Sequence, residues 1–233
     1  MAPLFLFRQR RLIFRDDRSN NRRMTQPIPQ PRRGRPPKLD RDNRETREAL
    51  LHAGMVLLTE QGFLSTGLDT LLKQVGVPKG SFYHYFASKE AFGRAVLERY
   101  AAWFAAKLDR WLLDARRPPL ARLEDFVADA CAGMARHAWR RGCLVGNLGQ
   151  EVTQLPEGFR EQLEAVLGDW QARLAACLRD AQQGGSLAAT VDCDELAAFF
   201  WIGWEGAVLR ARLVQSDAPL QTFIRGFLAL LPR

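Results

Sequence analysis

The chain is expected to be all-α, and three observations predict it. After about position 42, apolar residues recur at helical i, i+3, i+4 and i+7 spacing; strand-type alternation is absent; and the periods break at glycine or proline. With 233 residues, 47% of them hydrophobic, the chain can bury a substantial core. The pattern divides it into a basic arm over residues 1–41, a small three-helix domain over 42–90 and a larger helical domain over 91–233.

The arm is polar, rich in Arg and Pro, and without apolar period, so it is expected to be disordered. Residues 1–48 hold 14 of the 34 Lys/Arg and 6 of the 26 Asp/Glu, which leaves 20 of each sign over residues 49–233. The whole +8 excess is therefore N-terminal, which implies attraction to a polyanion. The opening MAPLFLFRQRRLIFR breaks its short apolar run with arginines and does not read as a signal peptide. Translation could begin at Met1 or at Met24. The first helix is placed from about Asn43 to Gln61, buried through Leu50, Leu51, Ala53, Gly54, Leu57 and Leu58, and stopped by Gly62. Thr66 and Asp69 form a capping-box-like start to the second. Leu68, Leu71, Leu72 and Val75 give it an apolar stripe, Gly76-Val77 breaks it, and Pro78 opens a third. Ser88 should cap a long helix to Leu113. Further helices are expected over Leu120–Arg141, Val145–Thr153, Glu157–Gln183, Cys193–Gln215 and Pro219–Leu231.

Two short helices across a glycine turn make a helix-turn-helix pattern. On a helical wheel with Lys79 at the origin and about 100° per residue, Phe82 and Phe86 share one face. Gly80, Ser81 and His84 fall opposite, flanked by Tyr83 and Tyr85. A buried aromatic cluster explains the two phenylalanines alone. The remaining face suits DNA: small residues admit the backbone, Tyr, Ser and His donate to phosphates or base edges, and Lys79 and Lys89 neutralise phosphates.

The run TREALLHAGMVLLTEQGF…GLDTLLKQVGVPKGSFYHYFASKEAF, Thr46 to Leu97 with its flank, resembles the TetR family of transcriptional regulators. The resemblance implies a helical homodimer that binds a palindromic operator, usually as a repressor, and releases it when a small ligand enters the C-terminal domain. It carries operator contact onto Lys79, Gly80, Ser81, Tyr83, His84, Tyr85 and Lys89, with Thr66 at the start of the preceding helix. In the arm, Arg-Gly-Arg-Pro resembles the core of an AT-hook. Arg33 and Arg35 would then enter an A·T-rich minor groove; a solvated, nonspecific tail is the alternative.

In the larger domain Trp201, Trp204, Glu205 and Val208 form one stripe, with Arg212 returning to it. Leu220, Phe223, Phe227 and Leu231 form another, while Phe199, Gly203 and Gly206 lie on the opposite face of their helix. In the TetR family the final two helices pair across the dimer, and these stripes suit that bundle. Glu205 is anomalous, because a carboxylate among tryptophans needs a partner. A structural arginine pair is favoured, ligand contact being the other reading. RGCLVGNLGQE places three glycines and Asn147 around Cys143. With VPKGSFYHYF and WIGWEGAVLRA, it resembles the TetR branch that answers acrylate or unsaturated electrophiles such as N-ethylmaleimide. The implied effector site comprises Cys143, Asn147, Trp201, Trp204 and Glu205, with Gly142 and Gly146 leaving room and Arg140 and Arg141 favouring the thiolate. The alternative for Cys143 is apolar filler.

Other functions find less support. His52, His84 and His137 lie far apart, and neither a phosphate loop nor a nucleophile motif is present, so no enzyme is expected. Cys131, His137 and Cys143 cannot share a helix face as zinc ligands would, so neither metal nor cofactor is expected. No apolar stretch approaches the roughly 20 residues that span a bilayer. The four cysteines lack short paired spacing, which suits reduced thiols in a cytoplasmic protein.

Overall fold

The computed structural model describes residues 43–232. The basic arm, with Arg33 and Arg35, and both candidate start methionines lie outside them.

Among the described residues the regular elements are all helices. The first, α1 (Asn43–Gln61), buries the predicted leucines and ends at Gly62, whose φ of 81° only glycine adopts freely. The second, α2 (Leu68–Val75), ends at left-handed Gly76, whose N–H caps the Leu72 and Lys73 carbonyls. Next comes α3 (Lys79–Phe82), with Pro78 as N-cap rather than first helical residue. It is shorter than the wheel assumed. After Phe82 the chain continues as a turn, closed by Tyr85 N–H and Phe86 N–H donating to the Phe82 carbonyl.

The spine of the molecule is α4 (Lys89–Leu112), whose N-cap Ser88 accepts from Ala91 N–H at 3.1 Å. Phe92 receives the rings of Phe82 and Phe86 edge-on, with centroids 5.6 and 5.0 Å away. Gly54 lets α1 approach so closely that a Cβ there would lie 2.5 Å from the Phe92 ring. Farther along, Phe104 packs at a tilt against Trp170 of α7 (Phe159–Gln183), with centroids 4.3 Å apart.

The remaining helices are α5 (Pro119–Arg136), α6 (Leu144–Gln150), α8 (Cys193–Val214) and α9 (Ala218–Ala229). The sequence carried α5 on to Arg141. It stops earlier because Ala138 and Trp139 take left-handed conformations, with φ of 49° and 59°, which a helix cannot continue. The freed segment delivers Cys143 to the start of α6. The stripes assigned to dimer pairing on α8 and α9 are mostly consumed within the chain: Trp201, Trp204, Leu220, Phe227 and Leu231 are buried. Gly203 is filled by Phe223, 2.3 Å from where a Cβ would stand. The large apolar side chains that α8 leaves exposed are Phe199, Ile202, Leu209, Leu213 and Val214.

Candidate nucleic-acid interface and effector cavity

At the tip formed by α2, α3 and the following turn, Lys79, Gly80, Tyr83 and His84 are exposed and Ser81 and Tyr85 half-buried, above buried Phe82 and Phe86. A Cβ at Gly80 would meet nothing within 4 Å, so the backbone there is open to close approach. Two groups are held rather than free: Lys79 Nζ lies 3.1 Å from Asp69 Oδ1, and the Tyr85 hydroxyl donates to Asn43 Oδ1 at 3.4 Å. Half-buried Lys89 places its ammonium 4.6 Å from the Phe63 ring centroid. Thr66 departs from expectation. Gly67, not Thr66, is the N-cap of α2, and the buried Thr66 hydroxyl donates inward to the Gly62 carbonyl at 2.6 Å. It stabilises the turn after α1 and presents no group to a phosphate.

The second site is a cavity of about 400 Å³ bounded by α1, α4, α5, α8 and the segment leading into α6. Phe104, Phe126, Met134, Trp204 and Val208 give it apolar walls. Three polar side chains converge in its enclosed part. Cys143 caps α6, and its Sγ accepts from Gly146 N–H at 3.4 Å. Tyr100 on α4 is buried, its hydroxyl within interaction range of the Cys143 thiol and the Leu144 amide. Glu205 on α8 is half-buried as a residue, but its Oε1 is shut off from solvent without a hydrogen-bond partner. Burial, with the Glu205 carboxylate next, pushes the Cys143 thiol well above its ordinary range, against a smaller opposing effect of the Gly146 N–H. Burial likewise raises Tyr100 well above the usual phenol value. Desolvation lifts Glu205 to about 7, although a hydrogen bond with Cys143 opposes it. At neutral pH the thiol and phenol are therefore protonated and the carboxylate is near its midpoint.

More exposed side chains on the same cavity are cationic or imidazole: His52, Arg99, Lys107, Arg136, His137 and Arg141. Several already have partners: Arg99 pairs with Glu48, Lys107 with Asp129 at 2.7 Å, and Arg141 with Glu60 at 3.0 Å.

Of the five residues expected at the effector site, the structure brings Cys143, Trp204 and Glu205 together on the cavity. Trp201 lies behind it in the aromatic core, 5.1 Å from Trp170 centroid to centroid. Asn147 faces α1 instead: its amide donates to the Thr59 carbonyl at 2.7 Å and accepts from Arg212 at 2.9 Å. The arginine pair expected for Glu205 does not form; Arg212 is turned to Asn147 and the Glu60 carbonyl. Nor do Arg140 and Arg141 activate the thiol, since both bond the Glu60 carboxylate. Burial alone would raise Glu60, but these two arginines outweigh it and hold Glu60 below its ordinary value. The space beside Gly142 and Gly146 is taken: a Cβ at Gly146 would stand 2.1 Å from Glu205 Oε2, and one at Gly142 2.7 Å from Arg212 Cδ. Tyr100 was missed. It occupies the same helical stripe as Phe92, Val96 and Phe104, so its sequence context marks it only as core.

Asn147 and Arg212 belong to a joint between the two sites. They satisfy terminal carbonyls of α1, which lack intrahelical partners. Glu151, just past α6, accepts from the Phe63 and Leu64 amides at 2.8 and 3.2 Å. Through this joint the short helix capped by Cys143 grips the end of α1 and the turn leading to α2.

A helix-turn-helix tip tied to a helical domain that carries a cavity is the architecture of a DNA-binding regulator. Comparison with known proteins agrees: residues 50–96 match the family described as bacterial regulatory proteins, tetR family, and residues 119–227 the tetracyclin repressor-like C-terminal domain. The chain belongs to the TetR family and is a TetR-type transcriptional regulator. It is 52% identical over 201 residues to the transcriptional regulator AcuR of Cereibacter sphaeroides, covering 86% of this chain and 91% of that protein. It is 34% identical over 177 residues to the transcriptional repressor NemR of Escherichia coli K12, covering 76% and 89%. A crystal structure of a regulatory protein TetR from Rhodobacter sphaeroides superposes with a TM-score of 0.78 at 52% identity, over 80% of this chain and 98% of that one.

Proposed function

We propose that the chain is a cytoplasmic repressor that binds a palindromic operator as a homodimer and is released by a small α,β-unsaturated carboxylate or carbonyl, such as acrylate. Residues 42–90 read the operator and residues 91–233 hold the effector and the dimer contact. Lys79, Gly80, Ser81, Tyr83, His84, Tyr85 and Lys89 form the operator surface, and the arm adds Arg33 and Arg35. Exposed Phe199, Ile202, Leu209 and Leu213 recur along one side of α8 at coiled-coil-like spacing, which supports pairing of that face between two copies.

One observation carries the effector reading: a cavity with apolar walls places Cys143, Tyr100 and Glu205 together at its enclosed end and cations at its more exposed side. That arrangement suits a ligand whose alkene approaches the thiol while its anionic or carbonyl end faces the cations. The volume of about 400 Å³ lies within the usual range for small-molecule pockets. Moving a switch from 1:99 to 99:1 takes about 5.5 kcal/mol of differential affinity. The α6 joint supplies a route for that difference to α1. Operator gel shifts test the reading. Acrylate should dissociate the wild-type complex, and Cys143→Ser should blunt the response while keeping operator affinity within about twofold. Serine at Cys131, Cys177 or Cys193, each buried away from the cavity lining, should change the response less. A normal response in Cys143→Ser would reduce the thiol to packing.

A further inference from the structure

A buried thiol held protonated is a poor nucleophile, so an unsaturated ligand beside Cys143 needs something to take the proton. Resting on the effector reading above, we infer that Glu205 is that base: its carboxylate deprotonates Cys143 as sulfur adds to the alkene, and later returns the proton to carbon. Three features of the site support the assignment. Glu205 and Cys143 are neighbours on the cavity, since a Cβ at Gly146 would lie 2.1 Å from Glu205 Oε2 and 3.7 Å from Cys143 Cβ, and among the described residues no arginine or lysine forms an ion pair with Glu205. Its Oε1 is enclosed without a partner, so the carboxylate has an unused acceptor facing no competing donor. The sulfur also has a donor for the charge it acquires, the Gly146 N–H at 3.4 Å, and the buried Tyr100 lines the same cavity.

The step balances without oxidant or reductant. The S–H bond breaks and its proton moves to the Glu205 carboxylate. The sulfur electron pair forms the S–C bond at the alkene carbon remote from the carbonyl, and the π pair moves toward the carbonyl oxygen as an enolate. The protonated Glu205 then gives its proton to the carbon adjacent to the carbonyl, which leaves a thioether and regenerates the carboxylate. Burial brings Glu205 to about 7, so a useful share of base is present at neutral pH. The titratable and charged groups facing this cavity besides Glu205 are Arg99, Tyr100 and Lys107 from α4, His52 from α1, Arg136 and His137 at the end of α5, and Arg141 and Cys143 from the segment entering α6. Among the described residues none of these cations pairs with Glu205, whose Oε1 has no hydrogen-bond partner.

The test is the rate at which N-ethylmaleimide alkylates Cys143 in the full chain, read by intact mass with Cys131, Cys177 and Cys193 replaced by serine. If Glu205 is the base, the rate rises from pH 5.5 to about 7 and levels off above it. Glu205→Gln then slows alkylation at pH 7.5 by at least about tenfold and restores a steady rise toward pH 9, as the thiol must ionise unaided. If Glu205 only burdens the site with negative charge, Glu205→Gln reacts as fast as wild type or faster, and the assignment falls. The wild-type profile is informative without any variant: a rate climbing tenfold per pH unit through pH 9 also overturns it. Alkylation that follows Glu205 but leaves operator binding intact would sink the effector reading while the base assignment stands. No alkylation of wild type at Cys143 would remove both.

Discussion

The helix-turn-helix tip and the cavity use polar side chains in opposite ways. At the tip, Lys79, Tyr83 and His84 stand in solvent over a layer of buried rings; their groups are already hydrated and cost the fold little. In the cavity, Tyr100, Cys143 and Glu205 are withdrawn from water, and all three ionisations shift toward the neutral form. An exposed reading surface can therefore change its chemistry with small consequences for stability, whereas the cavity holds its polar groups at the expense of the fold.

That contrast predicts its largest effect at Glu205. Its folded pKa of about 7 lies above the ordinary value of 4.5. The folded state thus keeps a proton that the unfolded chain releases between those values. Stability from this group is fully present below about pH 4.5 and is lost as pH rises through about 7, by about 3 kcal/mol in all. Glu205→Gln should therefore unfold at a higher temperature than wild type at pH 8, and the two should converge near pH 4.5. Parallel melting curves across that range would show that the carboxylate is not strained as described.

On the tip the same kind of change should move DNA binding and leave melting nearly unaltered. Tyr83→Ala is expected to weaken operator and nonspecific DNA alike, and His84→Ala to relax base preference as well, each by about 1–3 kcal/mol. Gel shifts at fixed salt on matched and mutated operators check this, and unchanged affinity in both variants would sink the recognition surface. Between the regions, Asn147→Ala strips the Leu58 and Thr59 carbonyls of α1 of their side-chain donor. It should lower stability by about 1–2 kcal/mol. It should also shrink the ratio of operator affinities measured without and with effector, since that ratio is a coupling free energy. An unchanged ratio would show that the signal travels by another path.

The two regions also differed in how far the sequence disclosed them. The tip is built from one continuous run, Gly67 to Ser88, so its turns, apolar stripe and polar face are written locally. Even there Thr66 misled, because Ser, Thr and Gly all serve as N-caps and only tertiary packing decides that Gly67 takes the role. The long helices were legible to within a few residues, since their periods and glycine stops are local too. The end of α5 was not, because left-handed Ala138 and Trp139 carry no residue-type signature. The cavity draws its polar groups from positions 100, 143 and 205 on three separate elements. The sequence marked Glu205 as a carboxylate needing a partner, but the partner depends on which way Arg212 turns. Asn147 shows the same limit: a polar residue in an apolar helix signals a buried hydrogen bond without saying whether it serves a ligand or a neighbouring helix.

The smallest effect expected lies at the tip, in the pair between Lys79 and Asp69. Both side chains are largely exposed, at 63% and 80%, and their charged atoms lie 3.1 Å apart. Such a pair adds about 0–1 kcal/mol to stability, and Asp69, in the first turn of α2, adds a comparable helix-dipole effect. Its presence opposes DNA binding twice: Lys79 must share its charge, and a carboxylate stands near the phosphates Lys79 would meet. Asp69→Asn should therefore bind operator a few-fold more tightly, within about 1 kcal/mol. Melting should fall only slightly. The salt dependence should steepen because Lys79 then releases a counterion it previously exchanged for Asp69. Lys79→Gln should do the reverse and make the slope shallower. If Asp69→Asn instead weakens operator binding, Asp69 orients Lys79 toward the phosphate, and the pair is part of the reading surface.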